Sequence, residues 1–97
     1  MVNKVQVAEK VILHGLQSWG QSLTDSLSAW QSAINFMNLD ATIGVKITPG
    51  KYQYTFTGQD AEAARSFVTE IVEKFPMGKF EREQKMIEDC LDKYKKL

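Results

Sequence analysis

Apolar residues recur along the first third of the chain with a helical spacing. From Ala8 to Trp30 the steps between them are four, four and three residues, and this series occurs twice. Eleven residues in three turns correspond to about 3.67 residues per turn, close to the natural period of an α-helix. The pattern therefore predicts one long amphipathic helix from about Asn3, a suitable N-cap, to about Asn38. Its apolar face contains Val5, Ala8, Ile12, Leu16, Trp19, Leu23, Leu27, Trp30, Ile34 and Met37.

The predicted helix is long for the size of the chain. Unbroken, it would measure about 50 Å, whereas a compact chain of this length is roughly 30 Å across. Two alternatives follow. Gly20 can end one helix and Ser22 can cap a second one, or the helix continues and projects towards a partner. Because the apolar spacing passes through Gly20 without a shift in phase, the pattern favours a continuous or gently kinked helix.

A β-hairpin is predicted after this helix. Residues 41–48 and 51–57 are rich in β-branched and aromatic side chains, and Pro49-Gly50 between them is a turn dipeptide. Proline fixes its own φ, and glycine supplies the positive φ of a type II turn. Both strands alternate in agreement and present one apolar face, with the cross-strand pairs Ile43–Phe56, Val45–Tyr54 and Ile47–Tyr52. A lone hairpin is marginal in water, so this face must lie on a helix or extend another sheet.

Two further helices are predicted in the last third of the chain. The first opens near Asp60 and stops at Pro76, and the second runs from about Lys79 to Lys95. Their apolar stripes contain Ala61, Ala64, Phe67, Val68, Ile71, Val72 and Phe75 in the first, and Phe80, Ile87, Cys90, Leu91 and Tyr94 in the second. The sequence therefore predicts one α+β domain over residues 1–97, mostly helical, in the order α-β-β-α-α.

Composition and charge narrow the classes of partner and the compartment. The 97 residues carry 12 basic and 12 acidic side chains, so net charge gives no reason to expect nucleic acid or an acidic membrane as a partner. One cysteine makes no internal disulfide, which fits a reducing compartment. We find no pattern of a signal peptide and no run of about 20 apolar residues that would span a membrane. The expected location is the cytoplasm.

The sequence offers no group of residues that would support catalysis, a metal or a cofactor. His14 is the only histidine, and no Ser, Cys or acid is spaced to orient it as a general base. Cys90 lies on the apolar side of its helix among acids, which is typical of a buried, unreactive thiol. One His and one Cys do not make a zinc site, and the glycines are too scattered for a phosphate loop. We therefore predict no enzyme activity, no metal and no cofactor.

The hairpin supports an alternative function, that of a nucleic-acid-associated regulator. Lys46 and Lys51 flank the turn, and Tyr52 and Tyr54 alternate along the second strand. Basic residues with aromatics on a sheet can stack single-stranded bases. Against this reading, the aromatics share a face with the β-branched residues of the first strand, as core residues do, and two lysines on a neutral domain make a weak field.

The stripe of the first helix is the leading candidate for an interface. Its flanks are small and almost uncharged, and interface cores are similarly depleted of charge. Its polar face lacks the Lys and Arg that helices lying on membranes carry. The stripe can form the domain core alone, or core and interface together. We predict a non-enzymatic protein-interaction module, a homo-oligomeric adaptor, regulator or assembly component that forms dimers or larger species or binds another protein. Its predicted contact residues are Leu16, Trp19, Leu23, Leu27 and Trp30.

Overall fold

The computed structural model describes residues 3–16, 23–74 and 83–96. In chain order, its elements are α1 (Lys4–Lys10), a π-helical segment (Val11–Leu16), α2 (Leu23–Phe36), β1 (Thr42–Thr48), β2 (Lys51–Thr57), α3 (Ala61–Lys74) and α4 (Glu83–Tyr94). The predicted class is confirmed: the protein is α+β and mostly helical, with a hairpin followed by two helices.

The N-terminal third folds as two packed helices, so the prediction of one continuous helix is wrong. The Lys10 ammonium group donates hydrogen bonds of 3.2 Å to the hydroxyls of Ser28 and Ser32, and the Ser26 hydroxyl donates one of 2.7 Å to the carbonyl of His14. Along one straight helix Lys10 and Ser28 would be about 27 Å apart. The chain therefore reverses between α1 and α2, as the alternative required. Gly20, the predicted break, lies outside the described residues.

The outer ends of this helical pair lie where they were predicted, near Asn3 and Asn38, and both are capped. The Asn3 side chain accepts a hydrogen bond from the Gln6 N–H, and the Gln6 side chain accepts one from the Asn3 N–H, which together form a capping box. At the other end Asn38 has φ 59°, and the N–H groups of Asn38 and Leu39 bond back to the carbonyls of Asn35 and Ile34. This arrangement is a Schellman motif with asparagine in the left-handed position.

The predicted strand register is also confirmed. Ile43 pairs with Phe56, Val45 with Tyr54 and Ile47 with Tyr52 in an antiparallel ladder. The turn glycine, Gly50, has φ 85°, as a type II turn requires. Since cross-strand partners share a face, the three apolar pairs lie on one side of the hairpin.

The core lies between the helices and the base of the hairpin. Trp30 of α2 is completely buried and packs edge-on against Phe67 of α3, with ring centroids 6.2 Å apart, and Phe67 packs against Tyr94 of α4 at 5.9 Å. The predicted stripes of α3 and α4 are buried at Ala64, Phe67, Val68, Ile71, Ile87, Cys90 and Leu91. Within these two stripes Val72 is misplaced, since it is 52% exposed, and Val5 of the first predicted stripe is also exposed, at 43%. Phe75 and Phe80 lie outside the described residues.

The linker from α2 to β1 is fastened to the start of α3 and to the end of the chain. The N–H of Asp60 donates to the carbonyl of Asp40 at 2.9 Å, and the Asp60 carboxylate accepts from the Asp40 N–H at 2.7 Å and from the Lys96 ammonium group at 3.1 Å. The backbone of Gly58 lies against the same carbonyl, so that a Cβ at position 58 would collide with it. These contacts fix the hairpin relative to α3.

Candidate interaction surface

The apolar face of the hairpin is buried at its base and exposed near its turn. Ile43, at the base, is 7% exposed, whereas Ile47 and Tyr52, which pair across the strands beside the turn, are 67% and 68% exposed. Val45 and Tyr54 between these ends are half-buried. The side chains at the tip thus continue the core face of the hairpin beyond the helices that cover its base.

A groove beside β2 extends this exposed surface onto α3. The groove encloses about 420 Å³ and is lined by Gln53, Tyr54, Phe56, Arg65, Val68, Thr69, Val72 and Glu73. Because Gln53 and Tyr54 point to opposite faces of the strand, a groove lined by both runs along the outer edge of β2. The apolar residues from the middle of the hairpin to its turn, together with Val72 of the groove, are named the hairpin surface: Val45, Ile47, Tyr52, Tyr54 and Val72.

The hydrogen bonds of Gln31, on α2, show which backbone groups of the hairpin point outward, away from the partner strand. The Ile43 N–H donates a hydrogen bond of 2.9 Å to Oε1 of Gln31, and Nε2 of Gln31 donates one of 3.1 Å to the carbonyl of Ala41. Ile43 and its partner Phe56 therefore form a non-hydrogen-bonded pair, and such pairs alternate along an antiparallel ladder. It follows that Tyr52, Tyr54 and Phe56 direct their N–H and C=O groups to the outer edge of β2.

The residues predicted to form the helix interface have different environments in the structure, since some are in the core and others are half-buried. Trp30 is 0% exposed and belongs to the core of its own chain. The prediction that its side chain contacts a partner is therefore wrong. Leu27 is half-buried and packs on the core, and Leu23 is half-buried. Trp19 and the side chain of Leu16 lie outside the described part of the chain, and their contact with a partner stays a prediction.

The predicted nucleic-acid residues do not form one surface. Lys46 and Lys51 occupy ladder positions opposite Gln53 and Thr48, and these pairs alternate with the apolar pairs. The lysines therefore lie on one face of the hairpin, and Tyr52 and Tyr54 on the other. This separation does not favour bases stacked on the tyrosines with phosphates held by the same lysines.

A polar cluster that the sequence only partly indicated joins α3 to α4. The Glu70 carboxylate accepts hydrogen bonds from Lys93 and Tyr94 at 2.8 Å, and from Lys74 and the Cys90 thiol at 3.1 Å. The bond from Lys93 and then those from Cys90, Tyr94 and Lys74 hold the pKa of Glu70 well below its ordinary value. Local spacing along α3 indicates only the pair with Lys74, because the other partners come from a distant part of the chain.

The chemistry of this cluster is that of a structural link. Burial, and then the hydrogen bond to Glu70, raise the pKa of the Cys90 thiol to about 11, so that the thiol stays protonated at neutral pH and is a poor nucleophile. Cys90 is buried, as predicted.

No three of the His, Cys, Asp and Glu side chains in residues 3–16, 23–74 and 83–96 are grouped to hold a metal ion. Among the helices of these ranges, none combines the length and hydropathy needed to cross a membrane.

Comparison of the chain with protein families, with curated proteins and with solved structures yields no match. Within the described residues, the hairpin surface brings together three of the large apolar side chains that are exposed, Ile47, Tyr52 and Val72.

Proposed function

We propose that the protein is a non-enzymatic interaction module that self-associates through the hairpin surface. The observation that carries the proposal is the exposure of Ile47 and Tyr52, which are paired side by side and are both about two-thirds exposed. Single exposed apolar residues are common, whereas a contiguous apolar patch typically marks a contact with another molecule. Val72, across the groove from Tyr54, enlarges the patch.

A second copy of the chain is the partner that we infer for this surface. The chain has no net charge, so two copies do not repel each other at long range. The named residues of the hairpin surface carry no formal charge, which suits the buried core of an interface. Self-association was the predicted mode of action, and the proposal moves its main surface from the helix stripe to the hairpin.

The test is absolute mass by light scattering on a sizing column over a hundredfold range of concentration. The unsubstituted protein is expected to form a dimer or larger species. In the double variant Ile47→Ser/Tyr52→Ser, the dissociation constant of this association is expected to rise about tenfold or more, which is equivalent to about 1.4 kcal/mol. Both side chains are largely exposed in the monomer, so circular dichroism should show an intact fold. A monomer at every concentration would overturn the proposal.

Leu13→Ser is the matched control for surface hydrophobicity. Leu13 lies in the π-helical segment and is 54% exposed, but it does not belong to the hairpin surface. This variant is expected to associate as the unsubstituted protein does. An equal loss of association in Leu13→Ser and in the hairpin variant would mean that the hairpin has no special part in it.

A further inference from the structure

The two outer edges of the hairpin are covered differently. At the base of β1 alone, the Gln31 amide occupies the N–H of Ile43 and the carbonyl of Ala41. Beside β2, no hydrogen bond from residues 3–16, 23–74 or 83–96 reaches the outward N–H and C=O groups of Tyr52, Tyr54 and Phe56. A strand edge of this kind is a template for pairing with another strand.

The open groove gives a pairing strand room beside this edge. It runs along β2 between the strand and α3, and its wall includes Tyr54, Phe56 and Val72. We propose that two copies of the protein pair through their β2 strands, antiparallel and centred on Tyr54, to form a continuous four-stranded sheet. The inference rests on the proposed self-association and places its contact on β2, so that Tyr52 and Tyr54 of the hairpin surface form the contact and Ile47 lies on the adjacent strand β1.

The register follows from the strand itself. β2 spans Lys51–Thr57 with Tyr54 at its midpoint, so only a two-fold axis at Tyr54 pairs the strand along its whole length. Tyr54 then faces Tyr54 of the other copy, and Tyr52 faces Phe56. These pairs, including the symmetric pair of Phe56 with Tyr52 of the other copy, are of the hydrogen-bonded type, because all of these residues direct their backbone groups outward. The facing side chains are aromatic and lie on the apolar face, and such cross-strand pairs stabilise sheets.

The charges beside the groove favour the antiparallel orientation. Arg65 lies over the ring of Phe56, with its guanidinium carbon 5.2 Å from the ring centroid, and Glu73 lines the groove about two turns further along α3. Because only three residues separate β2 from α3 and the helix packs along the strand, these two charges mark opposite ends of the groove. A two-fold axis at Tyr54 exchanges the ends and brings Arg65 of each copy towards Glu73 of the other.

The polar face of the hairpin tolerates the same register. Lys51 would face Thr57 of the other copy, and Gln53 would face Thr55, so that no like charges are directly opposed. These four residues are exposed in the monomer, and the pairing leaves their side chains on the solvent side of the sheet.

Disulfide trapping between two variants tests the register. Gln53→Cys in one preparation and Thr55→Cys in another place thiols directly opposite each other in the proposed sheet, in a non-hydrogen-bonded pair with Cβ atoms about 4.5–5.5 Å apart, near what a disulfide needs. On mixing equal amounts under mild oxidation, the mixed disulfide is expected to exceed each symmetric one by clearly more than the roughly twofold ratio that random pairing gives, as measured by mass spectrometry. Cys90 is present throughout, but its buried thiol with a raised pKa should not compete.

Lys46→Cys is the matched control for accessibility. Position 46 pairs with Gln53 inside the hairpin and lies on the same exposed face, but on β1. Mixed with Thr55→Cys, it is expected to give no preferred disulfide. If the protein is a dimer by light scattering and the Gln53–Thr55 disulfide is no more frequent than this control, the β2 pairing is overturned while self-association stands. A monomer at all concentrations overturns both.

A charge exchange tests the orientation independently. Arg65→Glu and Glu73→Arg are each expected to raise the dissociation constant about threefold to tenfold, because each places like charges together across the axis. The double variant restores opposite charges and is expected to recover most of the affinity. If the double variant associates as weakly as the single variants while its circular dichroism is unchanged, the antiparallel arrangement is wrong.

Discussion

Glu70 on α3 and Tyr94 on α4 are joined by a hydrogen bond of 2.8 Å from the phenol to the carboxylate. Lys93 donates to the same carboxylate oxygen, also at 2.8 Å. One acidic side chain thus holds two consecutive residues of the last turn of α4. The ring of Tyr94 packs on Phe67, which packs on Trp30, so this polar link borders the centre of the core.

Glu70→Gln is expected to lower the free energy of unfolding by about 1 kcal/mol. The amide keeps the size of the side chain but loses the charge that binds Lys93 and Lys74, and bonds to exposed lysines are individually weak. Urea denaturation monitored by circular dichroism measures the change. Glu62→Gln is the control on the same helix, since the Glu62 side chain is 90% exposed, and a loss in this control as large as that in Glu70→Gln would contradict the prediction.

The stabilisation from Glu70 is expected to depend on pH. Its pKa in the folded protein is lowered, mainly by Lys93, so its contribution is complete above the pKa of the unfolded chain, about 4.3 for glutamate. The contribution is lost as pH falls from that value towards the folded pKa. The stability difference between the unsubstituted protein and Glu70→Gln should therefore be constant from pH 6 to 8, and it should shrink progressively below about pH 4.3. A difference that stays constant down to pH 3 would contradict the link.

Gly58→Ala is expected to destabilise the protein more than Gly50→Ala. Both glycines have positive φ, 111° and 85°, but a Cβ at Gly50 meets open space, whereas one at Gly58 collides with the carbonyl of Asp40. The strain of a positive φ costs about 1–2 kcal/mol, and it should account for the whole effect at Gly50. Thermal unfolding of both variants gives the comparison. Equal shifts in Tm would contradict the prediction, because they would mean that the Asp40 carbonyl moves away from a Cβ at position 58 without a measurable cost.

Trp30→Ala is expected to destabilise the monomer by about 3–5 kcal/mol, because it empties a large, fully buried site. Trp30→Phe should cost clearly less, since it fills most of the site and removes an indole N–H that has no hydrogen-bond partner within the described residues. Urea denaturation at a concentration where the protein is monomeric measures both. If Trp30→Ala weakened association and left the monomer stable, the helix interface predicted from the sequence would be restored.

The hairpin could be predicted closely from the sequence because two independent signals agree. Pro49-Gly50 fixes the turn, and the alternation of both strands then admits one register. The degree of exposure could not be predicted in this way. Alternation assigns Ile43 and Ile47 to the same face, but only the packing of helices from other parts of the chain decides that one is buried and the other is not.

The reversal of the chain between α1 and α2 could not be predicted from the apolar spacing either. An unbroken apolar phase normally indicates one helix, yet two helices that face a common core also keep their apolar residues on matching sides. Ser26, Ala29 and Ala33 are buried in the structure, and their small size permits close approach of α1. The flanks of the stripe are recognisably small in the sequence, but they were assigned to an interface with a second molecule.

The Gln31 amide also limits how far the sheet can grow. A hairpin with two open edges can add strands on both sides and extend into a fibre, because each added chain presents a new edge. Here the α2 side chain occupies the base of one edge. Pairing through β2 therefore leaves, on each outer side, a β1 edge whose base is already occupied by a side chain, which disfavours the addition of a further strand there. One glutamine side chain thus favours a finite complex over open-ended growth of the sheet, because it competes with an added strand at the base of β1.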